Sequence, residues 1–193
     1  MWAGREKIHI FAQPPGQYKK EREKTPFELL IDRVNVNVKE GLGMSNVLVD
    51  KLCRREASNI FKGVYSADKI PGTLASCPRF IIVVNLATSA HQMGHFVTVC
   101  GHPDKIKYLD SFAMTCTQTD VLRFLRACRR PLITLTRRIQ GWTSMYCGLY
   151  CMLFTLYDDK NPDFELIFSL SNFNDNDLKC VRYIRKLIHD YDE

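Results

Sequence analysis

The sequence predicts an α+β fold, with several strands in the middle of the chain and helices before, between and after them. Four stretches carry that prediction. RFIIVVNLAT, beginning at Arg79, is a β-branched, apolar run of strand length, and HFVTVCG and KIKYLD are two short β-prone segments joined by Gly101-His102-Pro103-Asp104 turn chemistry. CGLYCMLFTLYDD, from Cys147, is apolar on every side over about three turns, which reads as a central buried helix.

The bulk properties fit one compact domain. A chain of 193 residues closes a substantial core without staples, and 46% hydrophobic with 25% charged residues is ordinary for a globular protein. No apolar run approaches the ~20 residues of a membrane span, and the N-terminus has no apolar h-region or small-residue cleavage site, so the protein is expected to be neither membrane-bound nor secreted. The eight cysteines are therefore read mainly as reduced, buried thiols. A net charge of +6, with basic clusters at Lys19 to Lys24, Arg54-Arg55, Arg126 to Arg130, Arg137-Arg138 and Lys179 to Lys186, permits nucleic-acid binding without requiring it.

Residues 1–24 mix Pro, Gly, Gln and charge without period and read as an extended arm; residues 25–193 form the single folded domain. PFELLIDRVN has a short helical pattern. Ser45 caps a longer predicted helix, SNVLVDKLCRREASNIF, with Leu48, Leu52 and Phe61 on its apolar stripe. GVYSADKIPG carries Gly, Asp and Pro punctuation and is expected to be a loop before the RFIIVVNLAT strand. After the hairpin, TQTDVLRFLRACRR is predicted as a helix with a basic C-terminal end, and LITLTRRIQ as a strand ending at Gln140. Last, NDNDLKCVRYIRKLIHDYD begins with helix-capping residues and spaces Leu178, Val181, Ile184 and Leu187 as an amphipathic helix.

The hairpin brings a base and a carboxylate together. With the turn centred between His102 and Pro103, His95 lies opposite Asp110, Val97 opposite Tyr108 and Val99 opposite Ile106. A one-residue slip would separate the pair onto opposite faces. In register, Asp110 fixes the His95 tautomer and leaves the other ring nitrogen to take a proton. A thiol nucleophile needs such a base, because only the thiolate attacks carbonyl carbon readily. Cys147 stands at the first turn of the apolar helix, where unpaired N–H groups favour an anion, and Gly148 is expected to let a substrate backbone approach. Gln140, seven residues before Cys147, could supply an oxyanion donor alongside the Cys147 N–H.

These residues resemble the adenovirus protease (adenain) family, whose order is His, acidic residue, Gln, Cys. That family has the same Gln-to-Cys spacing and a Cys-Gly-Leu-Phe-Cys context, against Gln140-Gly141-Trp142-Thr143-Ser144-Met145-Tyr146-Cys147-Gly148-Leu149-Tyr150-Cys151 here. FKGVYSADKIPG is similar to that family's Phe-x-Gly-x-Tyr-Asp-Lys-x-x-Pro-Gly segment. Tyr108-Leu109-Asp110-Ser111 is similar to a Tyr-x-Asp-Ser form in the SUMO-specific proteases of the wider clan. The resemblance covers roughly residues 60–158.

The resemblance implies a mixed sheet flanked by helices and a cysteine endopeptidase that processes viral structural precursors at glycine-containing sites. It implies the roles of base for His95, orienting acid for Asp110, oxyanion donor for Gln140 and nucleophile for Cys147. It further implies DNA as a stimulating cofactor, polypeptide substrates, a monomer, and location in a host nucleus or cytoplasm and in the virion. Phe96 stands where the clan commonly has Trp, and Asp110 where adenovirus enzymes usually have Glu. The family's activating peptide, disulfide-linked just before the Gln-bearing strand, has no matching attachment point, since Arg129-Arg130-Pro131 precede LITLTRRIQ and Cys128 is out of register.

Other readings stand beside this one. A protease removing SUMO or ubiquitin-like modifiers would use the same constellation, an acetyltransferase the same acyl-enzyme, and a basic interaction module would leave every thiol as packing. Cys151, four residues after Cys147, is read as core. A zinc site would need ligands beyond the two cysteines; Cys100 and His102 are available, but no paired short spacing supports a metal. Trp142 is expected to pack over its loop.

Overall fold

The computed structural model describes residues 44–57, 59–91, 94–158, 168 and 172–189. The predicted arm and the PFELLIDRVN helix lie outside these residues. In chain order the elements are α1 (Asn46–Glu56), β1 (Phe61–Ser66), β2 (Phe80–Asn85), β3 (Phe96–Gly101), β4 (Ile106–Leu109), α2 (Thr119–Ala127), β5 (Leu132–Thr134), α3 (Cys147–Tyr157) and α4 (Phe173–His189), with two 3-10 turns between β1 and β2. The fold is α+β. The five strands lie in sequence order; β1 is parallel to β2, β2 through β4 are antiparallel, and β4 is parallel to β5.

Alternation of side chains along the central strands builds two cores. Ile81, Val83, Phe96 and Cys100 face α1, α3 and α4, while Phe80, Ile82, Val84, Val97, Val99, Ile106 and Tyr108 face α2 and the 3-10 turns. That is why β2 reads as an unbroken apolar run: all six of its residues are buried. Helix α3 is the centre of the first core, with every residue from Gly148 to Thr155 buried. No helix of the described residues is long and apolar enough to cross a membrane.

Several boundaries differ from the sequence expectation for physical reasons. The Ser45-capped helix stops at Glu56, and Phe61 opens a strand instead of closing a helical stripe. The segment expected as loop is thus partly β1, an edge strand whose pattern is broken at Gly63, where the register shifts and φ is +136. Arg54 lies 2.9 Å from where a Gly63 Cβ would stand. The hairpin pairs Val99 with Tyr108 and Gly101 with Ile106, a shift of two residues from the predicted register that moves the turn to Pro103-Asp104, where His102 and Lys105 exchange backbone hydrogen bonds. A shift of two preserves the faces, so the His95 and Asp110 side chains stay in step. LITLTRRIQ is strand only over Leu132–Thr134; Gln140 sits in irregular chain, its N–H donating to Ser111 O at 3.1 Å. On α4, Leu178 is 53% exposed, because Asp177, Cys180, Val181 and Ile184 form the inward face.

Part of the Arg126 to Arg130 cluster is structural. The Arg130 guanidinium donates to the carbonyls of Ala75, Cys77, Pro78 and His102 and lies 5.7 Å from the Phe80 ring centroid. It ties the second 3-10 turn to the hairpin.

Candidate active site

Cys147 is the first residue of α3, and Tyr146 at the N-cap supplies no side-chain cap bond. The helix start therefore directs its N–H groups toward the thiol end. Gly148 is buried, and a Cβ there would lie 2.8 Å from Met44 Cβ and 3.2 Å from Val49 Cγ2. Its small size thus serves the contact with α1 and its N-terminal flank, not a substrate backbone. Cys147 is half-buried, whereas Cys151 is buried and its thiol is pushed well up, first by burial. Burial likewise pushes Cys53 up to about 12.

His95 immediately precedes β3. Its carbonyl accepts from Leu86 N–H at 2.8 Å, and the neighbouring Gly94 is squeezed so closely that a Cβ would lie 2.2 Å from Asn85 Oδ1. Asn85 in turn donates to Asn46 Oδ1 at 3.0 Å, linking this segment to the first turn of α1. Asp110, just past β4, has a side chain 2% exposed; its Oδ1 accepts from His95 Nε2 at 2.7 Å and from Phe112 N–H at 2.8 Å. With Nε2 engaged, Nδ1 is the nitrogen left for the Cys147 thiol, whose proximity also raises the His95 pKa. Burial is the largest single influence on the imidazole and disfavours its charge. The Asp110 hydrogen bond, with the influence of the nearby Cys147 thiol and the Asp110 charge, outweighs it and holds the His95 pKa up at about 9.

The structure therefore brings Cys147, His95 and Asp110 together, with His95 hydrogen-bonded to Asp110 and influenced by the Cys147 thiol. Gln140 adjoins them in a particular state. Its side chain is fully buried, Oε1 accepts from Ser111 Oγ, and Nε2 donates to Ser144 O at 2.8 Å and Ser144 Oγ at 3.2 Å. The amide nitrogen is thus engaged by the loop between Gln140 and Cys147. The chain before Cys147 is braced from α4. Asp177, whose carboxyl is raised by burial against the opposing influence of Tyr150 and Ser144, accepts from Tyr150 Oη at 2.8 Å through Oδ1. Asn176 Nδ2 donates to Ile139 O at 2.8 Å. Ser144, Asn176 and Asp177 carry no motif; Ser111, next to Asp110 in a Tyr-x-Asp-Ser pattern, has a local signal.

One wall of the site is aromatic. The His95 and Phe112 ring centroids are 4.9 Å apart, and Phe112 stacks on Trp142 at 5.4 Å and 19°. Trp142 is on its loop but 64% exposed. His102 and Cys100 belong to a separate cluster: His102 Nε2 lies 2.8 Å and Lys107 Nζ 2.6 Å from the buried Asp158 carboxylate. Burial keeps His102 below its ordinary value and drives the Cys100 thiol well above it. Among the described residues no group of three or more His, Cys, Asp or Glu could hold a metal ion.

No protein-family model matches the chain. No curated protein matches it either. Among solved structures the chain is similar to one described as AvrA delL154 with IP6 and CoA, at 14% identity and a TM-score of 0.44, over 81% of this chain and 67% of that one. At that degree of likeness the match carries no argument about activity.

Proposed function

We propose that this chain is an acyl-transfer enzyme with a thiol nucleophile, and more narrowly a cysteine endopeptidase acting at glycine-containing sites in structural precursor proteins of a virus or virus-like element. Cys147 is the nucleophile, His95 the base and acid, Asp110 the group that orients His95, and Gln140 an oxyanion donor. The observation that carries this reading is a single imidazole bonded to a buried carboxylate at 2.7 Å and close enough to a half-buried thiol at a helix start for that thiol to raise its pKa.

The chemistry follows from that arrangement. Transfer of the Cys147 proton to His95 Nδ1 gives a thiolate beside an imidazolium, which Asp110 stabilises. Sγ attacks the scissile carbonyl carbon, and the displaced electron pair collects on oxygen near the Cys147 N–H. Collapse breaks the C–N bond as His95 returns its proton to the leaving amine. Water, deprotonated by His95, then attacks the thioester and releases the acid, and the proton returns to Sγ. For Gln140 to serve the oxyanion, its Nε2 must exchange a Ser144 bond for the new negative oxygen. Stimulation by DNA, action as a monomer, and placement in the nucleus, cytoplasm or virion rest on the family resemblance and belong to the same proposal.

The test is cleavage of a glycine-containing peptide library and a Gly-Gly modifier conjugate, with and without DNA, by the protein and by Cys147→Ala. Cleavage is expected to fall at least about 1000-fold in the variant. Unchanged cleavage would sink the reading. Strong preference for the conjugate would redirect it to a deconjugating protease, and amide formation on an added amine without hydrolysis to an acyl transferase.

A further inference from the structure

Several arginines of the described residues are engaged by polar partners. Arg54 pairs with Asp50 and Arg123 with Asp120, and Arg130 donates to four carbonyls. Arg138 differs. Its Cζ lies 4.3 Å from the Trp142 ring centroid and 4.0 Å from that of Phe173, and among the described residues it meets no carboxylate and no hydrogen-bond acceptor. A guanidinium held by its faces keeps all five N–H donors at its edge, in a plane that matches carboxylate and phosphate. Stacking also fixes the fork in advance, so a ligand loses little of its binding energy to ordering the side chain.

The clamp closes a row that begins at His95. From the imidazole the row runs through Phe112 and Trp142 to Arg138, with separations of 4.9, 5.4 and 4.3 Å. The guanidinium thus stands at most roughly 15 Å from the base, a span of about four residues of extended chain. Phe112 and Arg138 already stack on the Trp142 ring, which favours an anion at the guanidinium edge over a nucleobase laid on the indole.

We propose that Arg138, clamped between Trp142 and Phe173, is a subsite for an acidic side chain, carboxylate or phosphate, of the polypeptide substrate, within about four residues of the scissile bond. The proposal rests on Cys147 being the nucleophile of a peptidase. It gives the substrate a second recognition element besides glycine, and it places that element in the segment that leads into the nucleophile's helix.

The test uses one glycine-containing peptide carrying Asp, Glu, phosphoserine or a neutral amide at successive positions on either side of the cut. The full chain, Arg138→Gln and Arg138→Lys are compared by the ratio of kcat/KM for acidic over neutral peptide. At one position the ratio is expected to be about tenfold or more, carried by KM, weakened by salt, near one in Arg138→Gln and partly kept in Arg138→Lys. The Asp, Glu and phosphoserine arms distinguish carboxylate from phosphate. Binding of the same peptides to Cys147→Ala in a Trp2→Phe background, followed by Trp142 fluorescence, reports the subsite without turnover. Charge-selective binding with no Cys147-dependent cleavage leaves the subsite standing and overturns the peptidase reading. Cys147-dependent cleavage with a wild-type ratio near one at every position overturns the subsite, a result that needs no variant to fold. Arg138-dependent binding of a single-stranded oligonucleotide, with no discrimination among peptides, also overturns it.

Discussion

At His95 burial and hydrogen bonding pull in opposite directions, and the outcome sets the protein's pH behaviour. The folded value of about 9 lies above the ordinary 6.5, so the imidazolium's contribution to stability is complete below about 6.5 and is lost as pH rises through about 9. A difference of that size corresponds to roughly 3 kcal/mol. The melting temperature is expected to fall across that window more steeply in the wild type than in His95→Ala, and catalysis to decline as pH rises through about 9. Asp110→Asn removes the charge that raises His95, so the alkaline limb should move toward lower pH and kcat/KM should fall by about 100-fold or more. A pH–rate profile of the two proteins checks both. The His95 and Asp110 pair was legible in the sequence because hairpin parity survives a two-residue error in register. The Gln140 to Ser144 bonds were not, because half of that contact is a loop carbonyl, which leaves no pattern in side chains.

The elements that present these groups depend on two tight fits. Gly148 lets α3 approach Met44 and Val49, and Gly148→Ala should cost about 1–3 kcal/mol and displace the helix start that carries Cys147. Urea unfolding and kcat together measure this, and a variant of unchanged stability would mean that α1 yields freely. Helix α4 braces the chain before Cys147 through Asn176, which donates to Ile139 O, and through Asp177, which accepts from Tyr150 in a buried setting. Asp177→Ala should destabilise by about 1–3 kcal/mol and lower kcat, with Asp177→Asn closer to the wild type because its amide oxygen still accepts from Tyr150. Helix α3 was readable from its all-round apolarity. The inward Asp177 was not, since a carboxylate on a buried stripe runs against the hydrophobic period that located the helix.

For the molecule as a whole, α+β was legible because the central strands and α3 each repeat a local apolar pattern. The parallel edge pairings were not. β1 is interrupted by Gly63, and β5 has three exposed residues, so neither announces its partner locally. Arg130 connects the second 3-10 turn to the hairpin, and Arg130→Met, which keeps bulk and loses donors, should destabilise by about 2–4 kcal/mol through carbonyls left without a partner; thermal unfolding measures it. Everything in the functional account depends on the thiol at the head of α3 being activated by His95. The most direct measurement is the rate of iodoacetamide labelling at pH 7, resolved by peptide mapping, in the wild type and in His95→Ala. Cys147 should react at least about tenfold faster than Cys151 and lose that advantage in His95→Ala. Equal labelling of the two cysteines, or a Cys147 rate indifferent to His95, would contradict the account.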